Sequence, residues 1–309
     1  MKDRELLRER AQNLWTSFAR KYEPLARGAR LDPYPEIDVG RIGGLAAAKE
    51  EILTYACAAT NPEVYARWGT HPPTGLLLLG SAGSGKSLLA QVLASQTDTC
   101  FLWVNIPRLV LEVIHGGGKV GELVQSWSET LPELPPLTVF FDELEFSQAE
   151  EIGARRPDLP VGPVMDFLLD LVDRTIAVGK DLVVGSTSHP DTLRHAFSQP
   201  GRFERIVEVI PDYPNDIIAA LRIHADDAEK RAGHALFDEV DWGEVVGRFR
   251  GPAIGEWIHI MHSVLRRKAR CEAGGENPSL ATTADLVREV ERFRQTSTRL
   301  PVSLRGNYV

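Results

Sequence analysis

The feature that most constrains this chain is the run Gly80, Ser81, Ala82, Gly83, Ser84, Gly85, Lys86, Ser87, which satisfies G-x-x-x-x-G-K-[ST]. Leucines fill residues 76–79 before it, and a helix-forming stretch beginning at Leu88 follows it. Strand, glycine-rich loop and helix in that order make a cradle for a polyphosphate. Glycine lets the backbone turn its N–H groups inward, and the following helix presents its positive end to the anion. In such a cradle Lys86 reaches the β- and γ-phosphates of a nucleotide and Ser87 ligates magnesium. The phosphate-binding set expected here runs from Gly80 through Leu88.

The rest of the chain supplies a sheet for that loop. Short apolar runs at residues 76–79, 100–104, 138–141, 182–184 and 206–210 alternate with helical stretches such as 87–96 and 161–174. Continuous apolar runs suit parallel strands covered on both faces, and the helices between them suit right-handed crossovers. A three-layer α/β domain over residues 37–211 is the expectation. After Pro211 the strands stop. Helices are expected at 215–230, 241–248, 254–272 and 283–295, with Asp241 and Thr283 as N-caps, making a small helical domain over 212–298 and leaving 299–309 as a tail. Residues 3–27 read as an amphipathic helix in which Leu6, Leu7, Leu14, Phe18 and Leu25 share much of one face. Gly28, Pro33 and Pro35 break it, so residues up to 36 read as a linker. The helix either docks on its own assembly or recruits a partner.

Composition narrows the class. A formal charge of −8 over 309 residues makes a poor non-specific nucleic-acid binder, which relies on basic patches to displace counterions. The charged start of the chain lacks the apolar core of a signal peptide, and no run approaches the roughly 18–20 apolar residues of a membrane span. Cys57, Cys100 and Cys271 are scattered without metal or disulfide spacing. Free thiols of a reducing cytoplasm are the expected reading.

The run at 137–141 ends in Asp142 and Glu143. Acids at the C-terminal end of a strand in such a sheet lie beside the phosphate loop. Asp142 would hold magnesium, directly or through water, and Glu143 would polarise the attacking water as general base. ATP and Mg2+ are therefore the expected cofactors, and ATP hydrolysis the expected reaction.

These residues, with further stretches before and after them, resemble the AAA ATPases of the proteasomal, membrane-fusion and severing group. The lead-in at 38–45, Lys49-Glu-Glu-Ile and the stretch 61–69 are similar to that group's, and Asp142-Glu-Leu-Glu145 is similar to its D-E-I-D. Most specific is Ser186-Thr-Ser-His-Pro-Asp followed by Pro200-Gly-Arg-Phe-Glu-Arg205, against the family's ATNRPD…RPGRFDR. The resemblance covers residues 38–294, most of the chain. It implies five parallel strands, a helical lid, a ring of identical subunits, six by family expectation, and ATP at the subunit boundary. By position it assigns Ile42 and Gly43 to the adenine pocket, His224 to the base or ribose, and Gly251 to a turn that approaches adenine. His224 also fits a half-buried helix histidine. Arg202 is assigned to the neighbouring subunit's γ-phosphate, where it stabilises transition-state charge; a local ion pair with Glu204 or another acid is its alternative.

The chain departs from the family in three places. Gln199 stands where a second arginine is frequent, and Ser188 stands at the sensor position, usually asparagine. Both changes point to slower hydrolysis or different subunit coupling. The pore loop reads Glu112-Val-Ile-His115-Gly-Gly-Gly-Lys119 with no aromatic to grip a peptide, leaving Ile114 or His115 as substitutes. The end of the chain, Gly306-Asn-Tyr308-Val309, is similar to the tails by which proteasome-activating ATPases dock into a peptidase ring; Tyr308 packing on the lid is the alternative. The leading expectation is a ring ATPase that remodels, disassembles or translocates a protein partner. A nucleotide-gated scaffold with slow hydrolysis is the alternative.

Overall fold

The computed structural model describes residues 2–115, 120–145, 161–193 and 195–299. The chain divides into two compact units, one formed by Met1–Asp38, Ala47–Gly80 and Lys86–Glu208, the other by Val39–Ala46, Ser81–Gly85 and Val209–Val309.

The first unit holds a six-stranded sheet. Its strands are β1 (Ala29–Asp32), β2 (Gly75–Leu79), β3 (Cys100–Asn105), β4 (Leu137–Asp142), β5 (Leu182–Thr187) and β6 (Arg205–Glu208), in the spatial order β1-β3-β4-β5-β2-β6. All five apolar runs found in the sequence are strands, and all five are parallel. Leu76, Leu78, Leu102, Val104, Val139 and Phe140 are completely buried, as strands covered on both faces require. The covering helices are α3 (Ala46–Thr60), α5 (Lys86–Gln96), α6 (Ile106–His115), α7 (Val120–Thr130) and α8 (Val161–Ala177), with the short α4 (Pro62–Arg67) beside α3.

The sixth strand corrects the reading of residues 28–36 as linker. β1 pairs antiparallel with β3, Ala29 opposite Val104 and Asp32 opposite Phe101. Its four residues alternate only once, with Ala29 and Leu31 buried, which is too short a pattern to stand out beside Gly28 and Pro33. The helices before it, α1 (Lys2–Lys21) and α2 (Glu23–Gly28), pack on this unit. The packed stripe of α1 runs through Ala11, Trp15 and Phe18, at helical spacing. Leu6 and Leu7, expected on the buried face, are 62% and 46% exposed. The stripe is centred on Phe18, which the sequence pattern included, and on Trp15 and the small Ala11, which it did not. Trp15, Phe18 and Tyr22 stack in tilted pairs with centroids 5.3 and 5.1 Å apart.

The second unit is helical: α9 (Asn215–Ala232), α10 (Trp242–Gly247), α11 (Ile254–Ala273) and α12 (Thr283–Arg299) enclose a core that includes Leu221, Val246, Trp257, Met261, Leu286 and Val290. Asp241 caps α10 by accepting the Glu244 N–H at 3.0 Å. Before α12 the Thr282 hydroxyl accepts the N–H of Asp285 in the first turn at 3.3 Å, while the Thr283 hydroxyl accepts the Asp241 N–H at 2.9 Å and so does not cap the helix. Among the described residues no helix is long and apolar enough to cross a membrane. Residues 116–119 of the expected pore loop, and Tyr308 and Val309, lie outside the described residues.

Candidate active site

Parallel strands put their C-terminal ends on one edge, so β2, β4 and β5 deliver Gly80, Asp142 and Ser186–Ser188 to the same edge of the sheet. The Gly80 N–H donates to Thr187 O at 3.2 Å, which ties the start of the loop to the end of β5. Gly83 and Gly85 have φ of +72° and +106°, a region that side chains with a Cβ rarely occupy. The hydroxyl of Ser84 is buried without a partner among the described residues, a donor that a phosphate would satisfy. Ser81, Ala82 and Ser87 are exposed, and Leu88 is half-buried.

Lys86 opens α5 and is largely buried. Its Nζ donates to Gly80 O at 2.6 Å and to Ser188 Oγ at 3.1 Å. Burial pulls its pKa down, and the carboxylates of Asp142, Glu145 and Glu143 oppose that shift. Lys86 and Ser188, at the end of β5, are therefore in direct contact.

Asp142 ends β4, and both of its carboxylate oxygens are engaged. Oδ1 accepts the Ser186 hydroxyl at 2.5 Å, and Oδ2 accepts the indole Nε1–H of Trp103 at 2.9 Å. A carboxylate has about four lone-pair sites, so ligand capacity remains. The next residue, Glu143, has φ +60°, a left-handed conformation costing on the order of 1 kcal/mol for a residue with a side chain. It is held there by Ser186, whose Oγ accepts the Glu143 N–H at 3.1 Å and whose carbonyl accepts the Leu144 N–H at 2.9 Å. Partial desolvation raises the pKa of Glu143, with Asp142 and Glu145 adding to the rise and Lys86 and His189 opposing it. Its side chain still reaches solvent, as a base acting on water needs. Glu145 is 5% exposed; its Oε1 accepts the Ser188 N–H at 3.0 Å and lies 3.3 Å from His189 Nδ1.

This donor set fits magnesium. The hydroxyl of Ser87 and the carboxylate of Asp142 are hard oxygen ligands. Among the described residues no group of three or more His, Cys, Asp or Glu could hold a metal ion by itself. Mg2+ commonly takes one or two protein oxygens and completes its shell with water and phosphate.

Arg202 is not brought to this cluster. Its Nε and Nη2 donate to the two oxygens of Asp173 at 2.6 and 2.8 Å, and Nη1 donates to Ala196 O at 2.6 Å. Asp173 raises its pKa further. The local ion pair held open in the sequence is thus present, with Asp173 and not Glu204 as its partner. Gln199 is exposed. In the second unit, Ile42 is buried, and Gly43 lies so close to α9 that a Cβ would meet Ala220 N at 2.2 Å. His224 is half-buried with its pKa lowered, first by burial, so it is neutral near pH 7. Gly251 has φ +143° with open space around it, so backbone conformation rather than crowding selects glycine there.

Sequence reasoning did not find Trp103, Ser186 or Asp173. Ser186 was within reach of it, since a hydroxyl stands where the ATNRPD pattern has alanine.

A family model for the "ATPase family associated with various cellular activities (AAA)" matches residues 76–210. The proteasome-activating nucleotidase of Archaeoglobus fulgidus is 30% identical over 287 residues, which is 90% of this chain and 67% of that protein. The chain belongs to the AAA ATPase family. Its members use ATP with Mg2+. Another relative is the proteasome-activating nucleotidase of Methanothermobacter thermautotrophicus, 30% identical over 75% of this chain and 55% of its own length. A third is the probable 26S proteasome regulatory subunit 10B of Caenorhabditis elegans, 30% identical over 74% and 54%. This AAA chain spans between about half and two thirds of the length of these relatives.

Proposed function

We propose that this AAA protein is a magnesium-dependent ATPase that works as a homo-oligomeric ring, a hexamer, and uses ATP hydrolysis to remodel, disassemble or translocate a protein partner in the cytoplasm. The observation that carries the reading is the cluster of Lys86, Asp142, Glu143 and Ser188 at one sheet edge. Lys86 binds the terminal phosphates, Ser87 and Asp142 hold the metal, and Glu143, kept basic enough by its raised pKa, takes the proton of the attacking water. When bound, Mg2+ neutralises phosphate charge. Gly80 to Leu88 wrap the phosphates, while Ile42, Gly43, His224 and Gly251 are assigned to the base and ribose. Arg202 completes the neighbour's site. The names of the relatives make a peptidase ring the first partner to consider, docked through Tyr308 and Val309.

The test is the ATPase rate per subunit across protein concentration. A rate that climbs with concentration and falls roughly 100-fold or more in Glu143→Gln, with nucleotide binding retained, is expected. The second reading, a nucleotide-gated scaffold with slow hydrolysis, is favoured by the short Ser188 and by Arg202 being engaged on Asp173. A flat rate no higher than that of Glu143→Gln would select it.

A further inference from the structure

We propose that Ser186 and Trp103 are positioning residues for the acidic pair, Ser186 aligning the metal-binding Asp142 and the base Glu143 together and Trp103 aligning Asp142 alone. The inference rests on the ATPase reading above. Ser186 is completely buried, so water cannot replace its hydroxyl. That one hydroxyl does two things: it donates to Asp142 Oδ1 at 2.5 Å and accepts the N–H of Glu143 at 3.1 Å. Glu143 sits at φ +60°, a conformation that persists only where surrounding bonds enforce it. With alanine at 186, Asp142 loses one of its two orienting donors and the Glu143 N–H loses its acceptor. The second donor, Trp103 Nε1–H, comes from the neighbouring strand, two residues before the Asn105 that pairs with Asp142 in register. A carboxylate held at both oxygens presents fixed remaining lone pairs to a metal, and loss of such outer partners typically weakens metal binding 10- to 100-fold.

The two variants separate the two roles. Trp103→Phe removes one N–H and leaves the Ser186–Glu143 bond intact, whereas Ser186→Ala touches both acids. In the full-length chain loaded with ADP, Mg2+ affinity is measured by calorimetric titration. Nucleotide affinity is measured in EDTA, and kcat at saturating Mg2+. Both variants are expected to bind Mg2+ about 10-fold more weakly, with nucleotide affinity in EDTA unchanged. Ser186→Ala is also expected to lose about 10-fold in kcat at saturating Mg2+, while Trp103→Phe keeps its kcat. Ser186→Thr, which retains the hydroxyl, is expected to recover both quantities. The inference is overturned if wild-type protein turns over ATP and Ser186→Ala matches it in Mg2+ affinity and kcat. It is overturned equally if nucleotide affinity in EDTA falls as far as Mg2+ affinity, which is the signature of general structural damage. A wild-type chain that binds no nucleotide with Mg2+ present overturns the ATPase reading, and this inference with it.

Discussion

Asp181 keeps its carboxylate in an awkward place. Oδ1 accepts the N–H of Leu137 at 2.9 Å, where β4 begins, but Oδ2 is buried without a partner among the described residues. Burial pushes its pKa up to about 6, against the Leu137 bond and Lys180, which pull it down. A folded-state pKa above the unfolded one means that the folded chain holds the proton more tightly. The group therefore favours folding below its ordinary carboxylate range, and that contribution is lost as pH rises through about 6. Asp181→Asn keeps an oxygen for Leu137 and removes the charge. It is expected to raise stability by about 1 kcal/mol at pH 8, with the gain vanishing by pH 4, as read from thermal melts across that range. A gain independent of pH would show that the charge is not its source. Asp181 was not legible in the sequence, whereas Lys86, Ser87, Asp142 and Glu143 were, and the difference is physical. Phosphate chemistry prescribes residue types at set spacings in one strand–loop–helix, which marks Lys86 and Ser87, and Asp142 and Glu143 are marked as an acidic pair at the end of an apolar run. Ser186, Trp103 and Asp173 owe their roles to neighbours 44, 39 and 29 residues away, which no local pattern records.

The same distinction operates among elements. Four of the parallel strands could be read because each is a continuous apolar run that is largely buried, and β6 because Ile206 and Val207 begin the apolar stretch, although only Val207 of its four residues is buried. β1 could not, because its pairing with β3 and not its composition makes it a strand. It also carries a consequence for the site. β1 sets Arg30 opposite Trp103 in register, with the guanidinium carbon 5.9 Å from the indole centroid, and Trp103 in turn holds Asp142. The N-terminal segment is thus part of the α/β unit and covers the otherwise open edge of β3, the kind of edge that promotes aggregation. Its anchor is Trp15, 6% exposed and packed on Phe18. Trp15→Ala should cost about 3 kcal/mol, measured by urea unfolding with an unchanged slope. A loss below about 1 kcal/mol would mean that the helix contributes little to the fold.

At the scale of the whole molecule the question is whether Arg202 serves a neighbour, given that it is held by Asp173 of its own chain. Magnitudes decide. The pair is bidentate, but Arg202 is 21% exposed and Asp173 43%, and partly exposed ion pairs contribute roughly 1 kcal/mol or less. An arginine supplied across a subunit boundary accelerates phosphoryl transfer by roughly a thousandfold or more, equivalent to about 4 kcal/mol. On the proposed ring reading, exchange of Asp173 for a neighbour's γ-phosphate would be favourable in the transition state even though Arg202 pairs with Asp173 in the isolated subunit. This can be tested without a substrate protein. Arg202→Ala subunits keep their own base but offer nothing to a neighbour. Glu143→Gln subunits lack the base but still offer Arg202. Each variant alone is expected to be nearly inactive. Mixed and reassembled, some Arg202→Ala sites receive arginine from a Glu143→Gln neighbour, so turnover should reappear and vary with the mixing ratio, passing through a maximum at intermediate composition. If the mixture stays as inactive as its parts while co-assembly is verified by native mass, Arg202 does not act across the boundary. Its bond to Asp173 would then be its functional state, and the scaffold reading would gain the support that the ring ATPase loses.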